Sequence, residues 1–373
     1  MSNSEPKVLI VPASEMARKR TVGGGERYAM ELARALSVRT PTTHALFDTT
    51  PGEDRDGSLT LRTFGVHHTD SSRFLFPATG DTWQGISGYD IVHVLCFPTP
   101  LSEAIVLRNV LRRCCGGRQK IVLTDVGGGA VTLGGKFNRL HPRLNLHRMA
   151  HGLAHLSDYA GRFFSDWPHP AVTLFGGVNP RLLGNQAGDP AGYALYVGRL
   201  LRHKGVLEAI RAVPSTTPFH VVGRPYDPAY FEELKSAAHG KQVHFITDAD
   251  DAELARQYAG ANVVLQVSLP STDGGPDKSE LLGLVALEGM AGGKPVIVTR
   301  TTSLPELVVD GETGFIVPPR DLGALGARMA LLVGDPDLSR RLGHQARDHV
   351  QRRFTWDKTA EVALGFYRRL LAG

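Results

Sequence analysis

Cysteine is scarce in this chain. There are three in 373 residues, Cys96, Cys114 and Cys115, and two of them are adjacent. An odd count with that spacing argues against a disulfide framework and favours a reducing compartment. No CxxC or His/Cys cluster has zinc-site spacing. Long apolar runs are also lacking, and none approaches the roughly 20 residues a membrane span needs. The opening MSNSEPKVLIVPASEMARKR has an apolar core too short for a signal peptide, with Glu5 ahead of it. Neither sign of charge dominates. Against 42 Lys and Arg stand 37 Asp and Glu, a net +5, which suits an anionic small ligand or an acidic membrane surface and gives no sign of a nucleic-acid partner. The expectation is a cytoplasmic protein.

What is abundant is glycine, 42 residues, pointing to tight turns and close approaches of backbone to ligand. Apolar content of 42% with 21% charged residues is that of an ordinary globular protein, and the length suits two domains. Short β-type runs alternate with helical patterns: KVLIV (7–11) before ERYAMELARALS (26–37), DIVHVL (90–95) before a helix near 102–114, then KIVLTD (120–125), AHLS (154–157) and VTLF (172–175). After the Gly- and Pro-rich PRLLGNQAGDPAG (180–192), the best linker, the alternation restarts. Its runs are YALYVGR (193–199), FHVVGR (219–224), QVHFIT (242–247), VVLQVS (263–268) and PVIVTR (295–300), with helices near 205–213, 228–237, 250–259 and 283–291. Runs buried on both faces and separated by helices predict two doubly wound α/β domains. Ligands bind beyond the carboxyl ends of strands in such domains, here in a cleft between the two.

Four stretches could carry chemistry. In VGRLLRHKG (197–205) Arg199 ends a strand and Lys204 precedes a helix; together they form an anion site or are two solvated cations. In SELLGLVALEGMA the residues Gly283, Leu284 and Val285 open a helix whose first N–H groups can hold a phosphate. Glu280 stands just upstream, and Glu288, two turns on, can accept hydrogen bonds from a ribose diol or lie at the edge of a helix face. In TVGGGERYAMELARAL the run Gly23 to Gly25 lets backbone approach a ligand, but it is not GxGxxG. In LTDVGGGAVTLGG, Asp125 at a strand end either binds hydroxyls, acts as a base or caps a turn. His147, His151 and His155 have i, i+4 spacing without an interleaved acid, so a metal there is not expected. Arg108, Arg112, Arg113, Arg118 and Lys120 cluster on and after one helix, a solvated face or a contact for acidic lipid headgroups.

Taken in order, GGGER…ELARAL, VGRLLRHKG, FHVVGRP, the E-x7-E pair of ELLGLVALE, GGKPVI, LPELVVDGETGFIVPPRD and FTWDKTAEVALGFYRRLL resemble the GT4 family of retaining glycosyltransferases, whose fold is GT-B. The match is dense over 193–373 and loose before it. The resemblance implies two Rossmann-like domains facing across a cleft: 1–185 for the acceptor and 186–355 for the nucleotide sugar, with a last helix about 356–373 packing back on the first. It implies transfer from a nucleotide-diphosphate sugar, UDP-sugars favoured, to a glycan, lipid-linked or small-molecule acceptor, without a required metal or other cofactor. Arg199 and Lys204 match the cations that neutralise the diphosphate. Glu280 matches the residue on the donor sugar hydroxyls and Glu288 the one on the ribose. Gly283, Leu284 and Val285 would hold phosphate and sugar through backbone, Gly223, Arg224, Ile246 and Thr247 would line the base and ribose pocket, and Gly23 and Gly24 the first-domain loop. The chain departs from the pattern at Leu281-Leu282, at the insert STDGGPDKS, at Thr247, at Gly176-Gly177-Val178-Asn179, and at Val126, where many relatives carry a histidine. Asp125 or His93 is then the substitute. A non-catalytic nucleotide-sugar binder and a nucleotide-sugar epimerase are the alternatives.

Overall fold

The computed structural model describes residues 5–12, 24–66, 80–95, 97, 99–125, 146–178, 190–270 and 280–373. Of the residues singled out in the sequence, Gly23, Cys96, Val126, Asn179, the glycines 127–129, most of the expected linker and the insert 271–279 lie outside these. The chain divides into two compact units, 1–175 with 356–373, and 176–355.

The first unit is built on one sheet. Its strands are β1 (Val8–Pro12), β2 (Thr42–Asp48), β3 (Gly52–Asp56), β4 (Leu59–Gly65), β5 (Ile91–Leu95), β6 (Lys120–Thr124), β7 (Gly152–His155) and β8 (Ala171–Thr173), in the order β3-β4-β2-β1-β5-β6-β7-β8. β3 is antiparallel to β4, while β1 lies parallel between β2 and β5 with Val8 opposite Thr42 and Ile91. β1 is buried from end to end, which is why VLIVP reads as a continuous apolar run and not as an alternation. The helix Gly24–Ser37 buries Tyr28, Ala29, Leu32, Ala33 and Leu36, the 3–4 spacing of a single apolar face. Against that face lies the C-terminal helix Trp356–Ala372: the Tyr28 and Trp356 rings meet edge to face at 5.2 Å, and the Thr359 hydroxyl donates to the Phe175 carbonyl at 2.9 Å.

His93 belongs to this packing, which corrects one expectation. It is fully buried on β5, with Nδ1 2.6 Å from the Tyr367 hydroxyl and Nε2 2.6 Å from the Thr124 hydroxyl, so neither nitrogen is left to stand in for a reacting histidine. Burial pushes its pKa down to about 3. The unfolded imidazole takes its proton near pH 6.5, so the folded state binds fewer protons below that. Stability contributed by neutral His93 is therefore whole above about pH 6.5 and is lost as pH falls from there toward 3, at up to about 1.4 kcal/mol per pH unit. Urea unfolding at pH 7 and pH 5 should show this slope in the wild-type chain and a shallower one in His93→Gln.

His147, His151 and His155 each have a separate partner. His151 Nδ1 accepts the Ile121 N–H at 3.0 Å, His147 stacks on Trp167, and His155 stacks on Phe164. Among the described residues no group of His, Cys, Asp or Glu is arranged to hold a metal. The basic helix is Pro100–Arg113, and its outer side exposes Leu107 and Leu111 together with Arg112 and Arg113. Cys114 and Cys115, just beyond it, are free and exposed. No helix among the described residues is long and apolar enough to cross a membrane.

The second unit carries β9 (Tyr193–Val197), β10 (Phe219–Val222), β11 (Val243–Ile246), β12 (Ala261–Gln266), β13 (Val296–Thr299) and β14 (Gly314–Val317), all parallel, in the order β11-β10-β9-β12-β13-β14. Counted within the unit this is 3-2-1-4-5-6. The chain runs outward one way from β9 and then the other way from β12, so the crevice at their carboxyl ends is the topological switch point. The helices between strands start where the sequence permits: Pro228–Ala237 has Pro at its first turn, and Asp227 accepts the Ala229 and Tyr230 N–H groups.

Candidate functional site

The switch point gathers the two chain segments that leave β9 and β12. After β9 the chain makes a short 3-10 turn, Arg202–Lys204, closed by Gly205 in the left-handed region at φ +71°. A Cβ on Gly205 would stand 2.0 Å from the Val267 carbonyl oxygen, so only glycine lets this turn lie against the chain leaving β12. The Leu269 N–H donates to the His203 carbonyl at 2.8 Å and locks the two together. Lys204 is thereby brought to Glu280, with Nζ 2.8 Å from one carboxylate oxygen.

Glu280 is a buried carboxylate in a prepared seat. Its other oxygen accepts the Gly283 N–H at 3.2 Å, and its own carbonyl accepts the Ser303 hydroxyl at 3.1 Å. Burial pushes its pKa up, but the Lys204 charge, with hydrogen bonds from Lys204, Gln266 and Gly283, outweighs burial and holds it below the usual carboxylate range. It is ionised at neutral pH. Gly283, at φ +63°, turns the chain into the helix Leu284–Ala291 and, as its N-cap residue, has no side chain to cap it. The Ala286 N–H is taken by the Gln266 side chain at 2.8 Å, leaving the first-turn N–H groups of Leu284 and Val285 as donors beside the Lys204–Glu280 pair.

Glu288, about one turn into that helix, accepts the Tyr258 hydroxyl at 3.0 Å. Glu288 is thus half-buried and partnered from the helix Asp251–Gly260. On the other side, the ends of β9, β10 and β11 are stitched by backbone: Leu200 N–H to Arg224 O, Gly198 N–H to Val222 O, and Gly223 N–H to Ile246 O. A Cβ on Gly223 would lie 1.8 Å from the Gly198 oxygen, so this strand end also requires glycine. Arg199 and Arg224 are exposed there, and Ile246 and Thr247 are half-buried. The Arg199 and Glu280 charges both act on the Tyr196 hydroxyl and on His203, so these two charges share one neighbourhood.

The expected residues of the second unit therefore fall in two groups at one end of one sheet: Lys204, Glu280, Gly283, Leu284, Val285 and Glu288, and then Arg199, Gly223, Arg224, Ile246 and Thr247. Gly24, at a helix start, and Asp125, buried at the end of β6, belong to the first unit. Three residues that set the geometry were missed: Gln266, Tyr258 and Ser303. Only Gln266 left a signal, as an amide inside the otherwise apolar VVLQVS, where a buried polar group must have a specific partner.

An arrangement of a helix start with two first-turn N–H donors, a fixed ammonium, an ionised carboxylate and a second carboxylate about one turn into the helix can hold a diphosphate at one end and hydroxyl groups at the other. Comparison with known proteins points the same way. Residues 185–349 match the family described as glycosyl transferases group 1. The chain is 31% identical over 192 residues to alpha-maltose-1-phosphate synthase of Mycolicibacterium smegmatis, covering 48% of each. It is 30% identical over 190 residues to D-inositol 3-phosphate glycosyltransferase of Corynebacterium glutamicum, covering 48% of this chain and 43% of that one. The chain thus spans about half the length of the curated relatives it matches. Among solved structures, sucrose-phosphate synthase from Thermosynechococcus elongatus superposes with a TM-score of 0.72 at 24% identity, covering 99% of both chains. Anabaena HepE in complex with UDP and glucose superposes with a TM-score of 0.69 at 16% identity, covering 98% and 100%. These likenesses establish the fold, GT-B.

Proposed function

We propose, from the match of residues 185–349 to glycosyl transferases group 1, that the protein transfers a sugar from a nucleotide-diphosphate sugar to an acceptor hydroxyl with retention at the anomeric carbon. The observation that carries the proposal is the Lys204–Glu280 pair at 2.8 Å beside the glycine-led start of the helix Leu284–Ala291. In this reading the diphosphate lies on the Leu284 and Val285 N–H groups with Lys204 and Arg199 as counter-charges, and Glu280 accepts hydrogen bonds from the sugar. Glu288, oriented by Tyr258, takes the ribose hydroxyls.

The acceptor oxygen bonds to the anomeric carbon as the bond from that carbon to the phosphate oxygen breaks. The bonding pair leaves on the diphosphate, and the acceptor's proton passes to the departing phosphate oxygen. No enzymic nucleophile is used, and stabilising the new charge on the diphosphate is the protein's main contribution. Because two side-chain cations supply that charge, turnover needs no divalent metal. A UDP-sugar heads the donor panel, in keeping with the HepE complex. The acceptor, a glycan, a lipid-linked or a small hydroxylated molecule, is assigned to the first unit, with Asp125 and the loop at Gly24 as its contacts. Contact with an acidic membrane surface, if the acceptor is lipid-linked, falls to the basic strip of the helix Pro100–Arg113.

The test is a panel of nucleotide sugars scored by calorimetry and by donor hydrolysis, with and without a chelator. Glu288→Ala should weaken nucleotide binding by about 10- to 100-fold, since two charge-assisted hydrogen bonds to the ribose are lost. Tyr258→Phe should weaken it only severalfold, through orientation. Unchanged nucleotide affinity in Glu288→Ala excludes this placement of the ribose.

A further inference from the structure

One turn at the end of β13 holds two backbone carbonyls, those of Ser268, just past β12, and of Glu280. The Ser268 carbonyl accepts two hydroxyls, Thr299 from the last residue of β13 at 2.6 Å and Thr301 just beyond it at 3.1 Å. The Glu280 carbonyl accepts a third, from Ser303, at 3.1 Å. The turn is itself fixed by Arg300 N–H to Val317 O, Thr301 N–H to Thr299 O and Leu304 N–H to Thr301 O. Ser303 is 1% exposed.

Between these hydroxyls sits an outlier. Thr302 has φ +47°, and its hydroxyl oxygen is buried without a hydrogen-bond partner. A β-branched residue in the left-handed region is disfavoured, and nothing its own side chain does offsets that. What the conformation achieves is to set Ser303 toward Glu280 while Thr301 faces Ser268. Leu304 and Leu307, the ends of the short helix Leu304–Leu307 that follows, close against the point where Gly283 has no side chain: a Cβ there would be 3.3 Å from Leu304 Cδ2 and 2.3 Å from Leu307 Cδ1.

We propose that Ser303, held by the strained turn at Thr302, is a positioning residue for Glu280: its hydroxyl fixes the backbone on which the carboxylate turns between Lys204 Nζ and the Gly283 N–H. The proposal rests on the donor-site reading of Lys204, Glu280 and Glu288 and adds to it a residue that touches neither nucleotide nor sugar. Backbone misplacement of under an ångström at Glu280 loosens the seat for the sugar but leaves Glu288 and the phosphate donors where they were.

The test uses the full chain, UDP as the nucleotide probe and whichever nucleotide sugar the panel identifies. Ser303→Ala should leave UDP affinity within about twofold while kcat falls about tenfold, and Ser303→Thr, which keeps the hydroxyl, should recover most of it. In chain labelled with ¹³C at glutamate carboxyls, the Glu280 signal should titrate at higher pH in Ser303→Ala than in wild type. Thr302→Gly should raise the melting temperature, because glycine adopts this φ freely. Equal kcat and an unmoved Glu280 titration in Ser303→Ala overturn the proposal, as does parallel loss of UDP affinity and kcat, or failure of Ser303→Thr to restore turnover. If wild-type chain acts on no nucleotide sugar, the donor-site reading fails by itself, and the Glu280 titration still decides the role of Ser303.

Discussion

Lys204→Ala should lower kcat by about 10²- to 10³-fold, the loss found when one preorganised donor to developing charge is removed. A second effect is expected from the same change. Glu280 keeps its buried position but loses the ammonium 2.8 Å away, and breaking one side of a buried pair is costly because the remaining charge has no partner. The side chains retain 20% and 14% exposure, so the expected loss of stability is about 3 kcal/mol, at the lower end for such pairs. The two effects separate in the double variant Lys204→Ala/Glu280→Gln. Neutralising the carboxylate should return most of the stability, read by urea unfolding, and none of the turnover. If the double variant recovers turnover as well, Lys204 acts only as a counter-ion to Glu280 and has no place on the diphosphate.

Gly205→Ala should be among the most damaging single methyl additions in the second unit. It combines a left-handed φ of +71° with a Cβ 2.0 Å from the Val267 carbonyl oxygen, a backbone atom that cannot swing away. Strain of about 1 kcal/mol and overpacking of about 2 kcal/mol add to roughly 3 kcal/mol, and to a fall in melting temperature of roughly 6–12 °C. Gly293→Ala is the control. Its φ is +74°, but nothing lies within 4 Å of the added carbon, so only the strain should be felt, about 1 kcal/mol. The difference between the two melting curves measures the close approach alone. A Gly205→Ala curve that overlies Gly293→Ala means that β9 and β12 can part at their ends, and that Lys204 is not held by the backbone.

Much of the second unit was legible because its signals are local. The helix 228–237 was placed by its pattern, and the structure agrees because Asp227 and Pro228 fix its start. β9, β10, β12 and β13 are apolar runs between helices, and that is sufficient to expect a parallel sheet. β3 was missed because GEDRD is exposed at all five positions: an edge strand of charges has no period to read. β14 was missed because GFIV is only four residues long and opens on a glycine. At the site, Glu280 and Glu288 stood out because the sequence itself sets them two turns apart. Tyr258 and Ser303 did not, because each meets its glutamate across 30 and 23 residues respectively, and such contacts leave no local pattern. His93 misled for the converse reason. A histidine near a strand end looks reactive until Thr124 and Tyr367, the latter 274 residues away, are seen to occupy both nitrogens.

That last pairing has a consequence for how the chain comes into being. The helix Trp356–Ala372 belongs to the first unit, yet the ribosome makes it only after the whole of the second. Until then β5 has a buried imidazole without its Tyr367 hydroxyl, and Gly152 on β7 faces open space where Phe366 and Leu370 will press. The part synthesised first is thus the part completed last. The second unit, whose strands and helices are contiguous in the chain, can close while its predecessor waits. A nascent chain stalled before residue 356 should therefore resist protease across the second unit and be cut in the first.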